Sequence, residues 1–298
     1  MCWRYLLPAV LAVGCAQAQA TAIYKFVDAN GVVNYTDRVT PGARRMVFED
    51  RMVESLAADV RLNTRRAGGS VTFEAQNDLY APVQVELRLA GLRNVAGTAL
   101  RSISRIIPPR ARVTLATLAP ARPGQPVSGT PGFSYALGDP LTNPAAYRYP
   151  FPWVGGPFRV SQGANGTFSH NGPKGRYAID IAMPEGTPII AARAGTVVKV
   201  ENNQSAGGAQ PSGNFVRVLH ADGTMGVYLH LMQGSVAVRE GDRVNVGTPL
   251  GQSGNTGHST GPHLHFVVQR NTGQGLESIP YQFDKPLQSL PNFAVGNR

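Results

Sequence analysis

FVRVLHADGTMGVYLHL, residues 215–231, contains two runs rich in β-branched and aromatic residues around Ala221-Asp222-Gly223-Thr224. Such a pattern predicts a β-hairpin closed by an Asp-Gly turn. Alternation along the second run places Val227, Leu229 and Leu231 on one face and Tyr228 and His230 on the other. His220 sits beside the turn and reads as structural. Downstream, His263-Leu264-His265-Phe266-Val267-Val268-Gln269 reads as another strand. Residues two apart on a strand share a face, about 6.5–7 Å apart. Leu264 and Phe266 then anchor a core while His263 and His265 stand together on the opposite face, as metal ligand and base or as two hydrogen-bonded surface histidines. Upstream, Arg176 to Met183 reads as a short strand with Asp180 between Ile179 and Ile181. A buried carboxylate needs a cation or hydrogen-bond donors, so Asp180 is either a metal ligand or a hydrogen-bonded structural residue.

The 298 residues suffice for two modest domains. Gly (34) and Pro (23) make up about a fifth of the chain, which suits short strands joined by many turns. The expected fold class is all-β. The six histidines, His170, His220, His230, His258, His263 and His265, all lie in the C-terminal half.

Residues 1–20 read as a secretory signal peptide: Arg4, an apolar core from Leu6 to Val13, and the small-x-small site Ala18-Gln19-Ala20. Both cysteines, Cys2 and Cys15, fall inside it, so a mature chain has no disulfide, thiolate ligand or Cys nucleophile. Lipidation of Cys15 is the lesser alternative. Loss of Arg4 takes the net charge from +10 to +9, spread over both halves. The absence of a dense basic run with interleaved aromatics argues against nucleic acid, while diffuse positive charge suits an anionic surface of the cell envelope. No transmembrane span remains after the signal is removed, and a monomer is expected.

Residues 21–40 contain a hairpin pattern, Tyr24 to Val27 and Val32 to Tyr35 around Asp28-Ala29-Asn30-Gly31. This stretch resembles a short domain of unknown function in proteobacterial envelope proteins. Residues 41–68 read as an Arg-rich linker with a helical turn around Met52 to Leu56. Residues 69–146 read as a small immunoglobulin-like β-sandwich with strands at 71–75, 83–89 and 113–116, serving as a spacer or wall-docking module. Asn77-Asp78, Ala90-Gly91 and Pro108-Pro109 punctuate it. A catalytic domain follows over 147–286, then a polar tail over 287–298.

Two imidazoles and one carboxylate from this half form a zinc set with one open coordination position, the arrangement of a catalytic site. A helical His-Glu-x-x-His motif is absent, so other histidines must handle protons. His170 with Arg176-Tyr177-Ala178-Ile179-Asp180, Tyr228-Leu229-His230-Leu231 and Gly261-Pro262-His263-Leu264-His265-Phe266 resemble the three motifs of the lysostaphin/LytM zinc endopeptidases. Gly186 to Ala192 and Gly251 to Gly257 resemble the glycine-rich turns of that family.

The resemblance spans roughly residues 150–275. It implies a LytM-like β-sheet or barrel-sandwich domain that hydrolyses peptide cross-links in peptidoglycan. It assigns one Zn2+ to His170, Asp180 and His265, and makes His230 and His263 the catalytic pair, one as base and the other stabilising the oxyanion. The commonest spacing in the family is His-x-x-x-Asp, whereas nine residues separate His170 from Asp180, so the loop from Asn171 to Gly175 must fold back. His258 is the fallback ligand. The implied substrate is the peptide stem of peptidoglycan, cut at the D-Ala–diaminopimelate link in the periplasm. One rival is a non-enzymatic relative that activates a wall amidase. Another is a structural wall-binding protein that merely shares the lipoyl-like turn Gly241-Asp242-Arg243-Val244.

Overall fold

A computed structural model describes residues 23–27, 33–36, 44–46, 58–97, 101–208 and 210–287. Among them there is no α-helix, and the chain is all-β. It divides into two compact units, Met1–Glu49 and Asp50–Arg298.

In the first unit, β1 (Ile23–Val27) is the centre of a three-stranded antiparallel sheet. β2 (Val33–Thr36) pairs with it on one side, with Lys25 opposite Tyr35. β3 (Arg44–Met46) pairs on the other, so a strand stands inside the 41–68 stretch expected as linker. The turn at residues 28–32 lies outside the described residues, as do the signal segment, the helical turn around Met52 and the tail from 288.

The second unit begins with a β-sandwich. One sheet has the order β4 (Val60–Ala67), β5 (Ser70–Asn77), β8 (Ala111–Leu118). The other has the order β7 (Ser102–Ile107), β6 (Val83–Arg93), β9 (Ser128–Leu137). Alternation sends Val71, Phe73 and Ala75 from one sheet and Val83, Val85 and Leu87 from the other into a shared core. Two corrections follow. Residues 60–67 are an edge strand and not linker. Most of β4 is exposed beyond Val60, so it lacks an apolar rhythm, and its pairing with β5 holds it in place. Charged edges of this kind also discourage sheet-to-sheet association. Ala90-Gly91 does not end a strand either. β6 runs through it with a register shift opposite β9, and Gly91 takes a left-handed φ of 60°.

The C-terminal part is built on an eight-stranded antiparallel sheet. Its order is β11 (Arg159–Gln162), β12 (Ile179–Ala182), β19 (His263–Asn271), β16 (Met225–Leu231), β15 (Asn214–Leu219), β14 (Gly195–Glu201), β17 (Arg243–Val244), and β20 (Leu276–Ser278) pairs antiparallel with the C-terminal end of β19. Two smaller pairs flank it: β10 (Arg148–Tyr149) with β21 (Gln282–Phe283), and β13 (Pro188–Ile190) with β18 (Pro249–Gln252). β16 is buried along its whole length, because both faces of the sheet are covered. Tyr228, Leu264 and Phe266 enter one core; Val227, Leu229 and Val267 enter a smaller one behind it.

The sandwich shares its own core with Val198 and Met225 of the large sheet. Asn271 donates to Gly138 O, and Lys199 pairs with Asp59. This docking is at the Met225 end of β16, whereas His230 lies at the other end of the strand.

Candidate metal centre and catalytic histidines

Strand pairing places four residues in one row across the sheet. Gln162 is opposite Asp180, Asp180 opposite His265, and His265 opposite Leu229. Cross-strand neighbours share a face, so Asp180 and His265 meet directly. His265 Nδ1 lies 2.8 Å from Asp180 Oδ1. His170 reaches the same point from the preceding loop. Its Nε2 lies 3.2 Å from Asp180 Oδ2 and 3.3 Å from His265 Nδ1. The three side chains form the one group of potential metal ligands found among the described residues.

The long spacing between His170 and Asp180 is taken up by a folded-back loop. His170 N–H donates to Gly166 O, and Arg176 N–H to Gly172 O. Gln269 Nε2 donates to Lys174 O, and Ser278 N–H to Pro173 O, which ties the loop to β19 and β20. His170 Nδ1 donates to Gly163 O at 2.8 Å, leaving Nε2 as a lone-pair donor aimed at Asp180. His258, the fallback ligand, is exposed and stands outside the group.

The donor set fits a divalent cation. Zinc–nitrogen and zinc–oxygen bonds of about 2.0–2.1 Å in a tetrahedron separate ligand atoms by roughly 3.3 Å. Asp180 Oδ1 is buried and accepts no hydrogen bond. Burial opposes ionisation of Asp180, but the adjacent His265 and His170 outweigh it and hold the carboxyl well below its ordinary range. Burial also lowers the His265 pKa, with Asp180 opposing. An ionised carboxylate buried beside imidazole nitrogens is an anion that a divalent cation would neutralise.

His230 corrects the alternation read from the sequence. Val216 is opposite Tyr228 and Asn214 is opposite Leu231, so Leu229 and His230 together face the single residue Phe215. This is a β-bulge, and His230 takes a left-handed φ of 62° within it. Leu231 consequently joins the core of Tyr228 and not that of Val227 and Leu229. His230 turns toward the other histidines: its ring lies 4.7 Å from that of His263 and 5.9 Å from that of His265.

Backbone carbonyls fix the tautomers of this pair. His230 Nδ1 donates to Thr256 O, and His263 Nδ1 to Gly261 O, each at 2.8 Å. In the neutral rings both Nε2 atoms are then proton acceptors. His263 Nε2 is 3.8 Å from Asp180 Oδ1. Burial, with His263 and His265 nearby, lowers the His230 pKa well below the usual value. His220 remains apart: it is buried and donates from Nδ1 to Ala194 O. Sequence reading passed over Gln162 and Thr256, which hold Asp180 and His230 in place. Neither carried a signal, since one is a common polar residue on a weakly patterned strand and the other acts through its main-chain oxygen.

Residues 174–277 match the family described as Peptidase family M23, and residues 10–53 match a domain of unknown function, DUF4124. The M23 match begins after His170. The chain is 41% identical over 132 residues to peptidoglycan DD-endopeptidase ShyA of Vibrio cholerae, covering 43% of this chain and 27% of that protein. It is 38% identical over 97 residues to glycyl-glycine endopeptidase ALE-1 of Staphylococcus capitis, covering 32% and 25%. It therefore spans about a quarter of the length of these curated relatives. Among solved structures, it is 31% identical to the catalytic domain of lysostaphin from Staphylococcus simulans, covering 45% of this chain and 86% of that one, with a TM-score of 0.30. The residues that converge in this site thus lie within, or just before, the stretch that matches peptidase family M23.

Proposed function

We propose that the protein is an exported, zinc-dependent endopeptidase that hydrolyses peptide cross-links of peptidoglycan. The observation that carries this reading is the convergence of His170 Nε2, Asp180 and His265 Nδ1, with two further imidazoles beside them. A bound zinc ion supplies Lewis acidity and brings the pKa of water near neutrality. His170, Asp180 and His265 would hold it. His230 and His263 manage the proton at their Nε2 atoms. One accepts it as water oxygen bonds to the scissile carbonyl carbon. The imidazolium so formed is a donor that passes the proton to the leaving amine as the C–N bond breaks. The second ring, when protonated at Nε2, donates a hydrogen bond to the charge developing on oxygen. The bulge at His230 and the carbonyls of Thr256 and Gly261 hold both rings in place beforehand, which limits reorganisation during the reaction.

The name of the Vibrio relative, a DD-endopeptidase, supports a D-Ala–diaminopimelate bond as the target. The signal-like residues 1–20 and the match to the short N-terminal domain support a place in the cell envelope. No helix among the described residues is long and apolar enough to cross a membrane. The presence of all five site residues favours an enzyme over a non-catalytic amidase activator. Digestion of purified peptidoglycan, followed by separation of the muropeptides, tests the proposal. Conversion of cross-linked dimers to monomers, abolished by chelator and restored by zinc, is expected. Intact dimers after incubation with zinc-loaded protein would reject it.

A further inference from the structure

Gln162 lies directly opposite Asp180, at a register shift in β11. Its side-chain amide has four partners. Oε1 accepts the N–H groups of Phe168 and Ser169, at 3.1 and 3.3 Å. Those two donors fix which end of the amide is oxygen. Nε2 donates to Asp180 Oδ2 at 3.0 Å and to Ser169 Oγ at 2.7 Å. One side chain thus grips both the carboxylate and the turn immediately before His170. Gly166 lies close against it, and a Cβ at 166 would collide with the Gln162 side chain.

We infer that Gln162 is a positioning residue for the metal centre, locking the rotamer of Asp180 and delivering His170 across its long loop. The inference rests on the metal-hydrolase reading above. His170 and Asp180 are nine residues further apart than neighbours in sequence, and each extra residue of loop adds conformations in which Nε2 misses the carboxylate. Four hydrogen bonds through one amide remove those conformations. The donor on Oδ2 also leaves Oδ1 as the oxygen without a hydrogen bond. Residues that orient metal ligands typically contribute 10–100-fold in metal affinity.

The test uses the full chain with zinc and cobalt as probes. Gln162→Met keeps the length of the side chain and removes the amide. Gly166→Ala displaces Gln162 without altering any ligand. Zinc affinity is measured by competition with a chromogenic chelator, the d–d spectrum is recorded with Co2+, and far-UV circular dichroism monitors the fold. Both variants are expected to bind zinc at least 10-fold more weakly and to show a shifted cobalt spectrum with native circular dichroism. Affinities within twofold of the parent and an unchanged cobalt spectrum would overturn the inference. Asp180→Ala is run in parallel. If it loses zinc while the Gln162 and Gly166 variants bind normally, only the role of Gln162 fails. If it binds zinc like the parent, the metal-hydrolase reading fails as well.

Discussion

The imidazoles of His230 and His263 face each other at 4.7 Å, although unbroken alternation along β16 would have put His230 on the far side of the sheet. The geometry is obtained by forcing a non-glycine residue to a φ of 62°. A left-handed conformation costs an L-residue about 1–2 kcal/mol, and such strain clusters where a side chain must be aimed.

That strain gives an inverted order of stability at position 230. In an ordinary strand Ala is more stable than Gly by about 0.5–1 kcal/mol. Here His230→Gly is expected to be more stable than His230→Ala by about 1 kcal/mol, and both are expected to be inactive. Urea unfolding of the two variants checks this.

Gly213 guards the seat of His230. Its φ is 61°, and a Cβ there would approach the carbonyl of Thr256 at 2.5 Å. The same carbonyl accepts the ring Nδ1–H of His230, and Thr256 Oγ1 also accepts Asn214 N–H and donates to Leu231 O. Gly213→Ala is expected to destabilise the fold by about 2–4 kcal/mol. Activity should fall further than the loss of folded protein explains, as judged by rates normalised to the native circular dichroism signal.

His220 sets a pH dependence of stability that is separate from catalysis. Burial is the main cause that lowers its pKa from 6.5 to about 4. The unfolded chain therefore takes up a proton between about pH 6.5 and 4 that the folded chain refuses. Stability is fully present above pH 6.5 and falls as the pH drops through this window. A shift of this size corresponds to about 2–3 kcal/mol at pH 4.5. His220→Gln removes the proton uptake, so the stability of the parent relative to the variant should drop by that amount between pH 7 and 4.5. Urea titrations at the two pH values measure it.

Much of this was legible in the sequence, and the gaps have physical causes. β5 and β6 announced themselves through Val71, Phe73 and Ala75 and through Val83, Val85 and Leu87, because each strand has one buried face. The hairpin over 215–231 and the strand from His263 were equally plain. β4 was missed because an edge strand held by main-chain pairing can carry Arg65 and Arg66 outward without any apolar rhythm. The turning of His230 was missed because a bulge adds one residue and erases the period of two on which the reading depended. Asp180 stood out as a carboxylate between two isoleucines, but its partner Gln162 had no such contrast with its surroundings.

Zinc content measured by mass spectrometry of the native protein, beside Asp180→Ala and His263→Ala, is the most direct test of the central claim. The parent is expected to carry one zinc per chain, Asp180→Ala none, and His263→Ala one zinc without peptidoglycan hydrolysis. A zinc-free parent in zinc-replete buffer, or an Asp180→Ala protein that keeps its metal, would contradict the account.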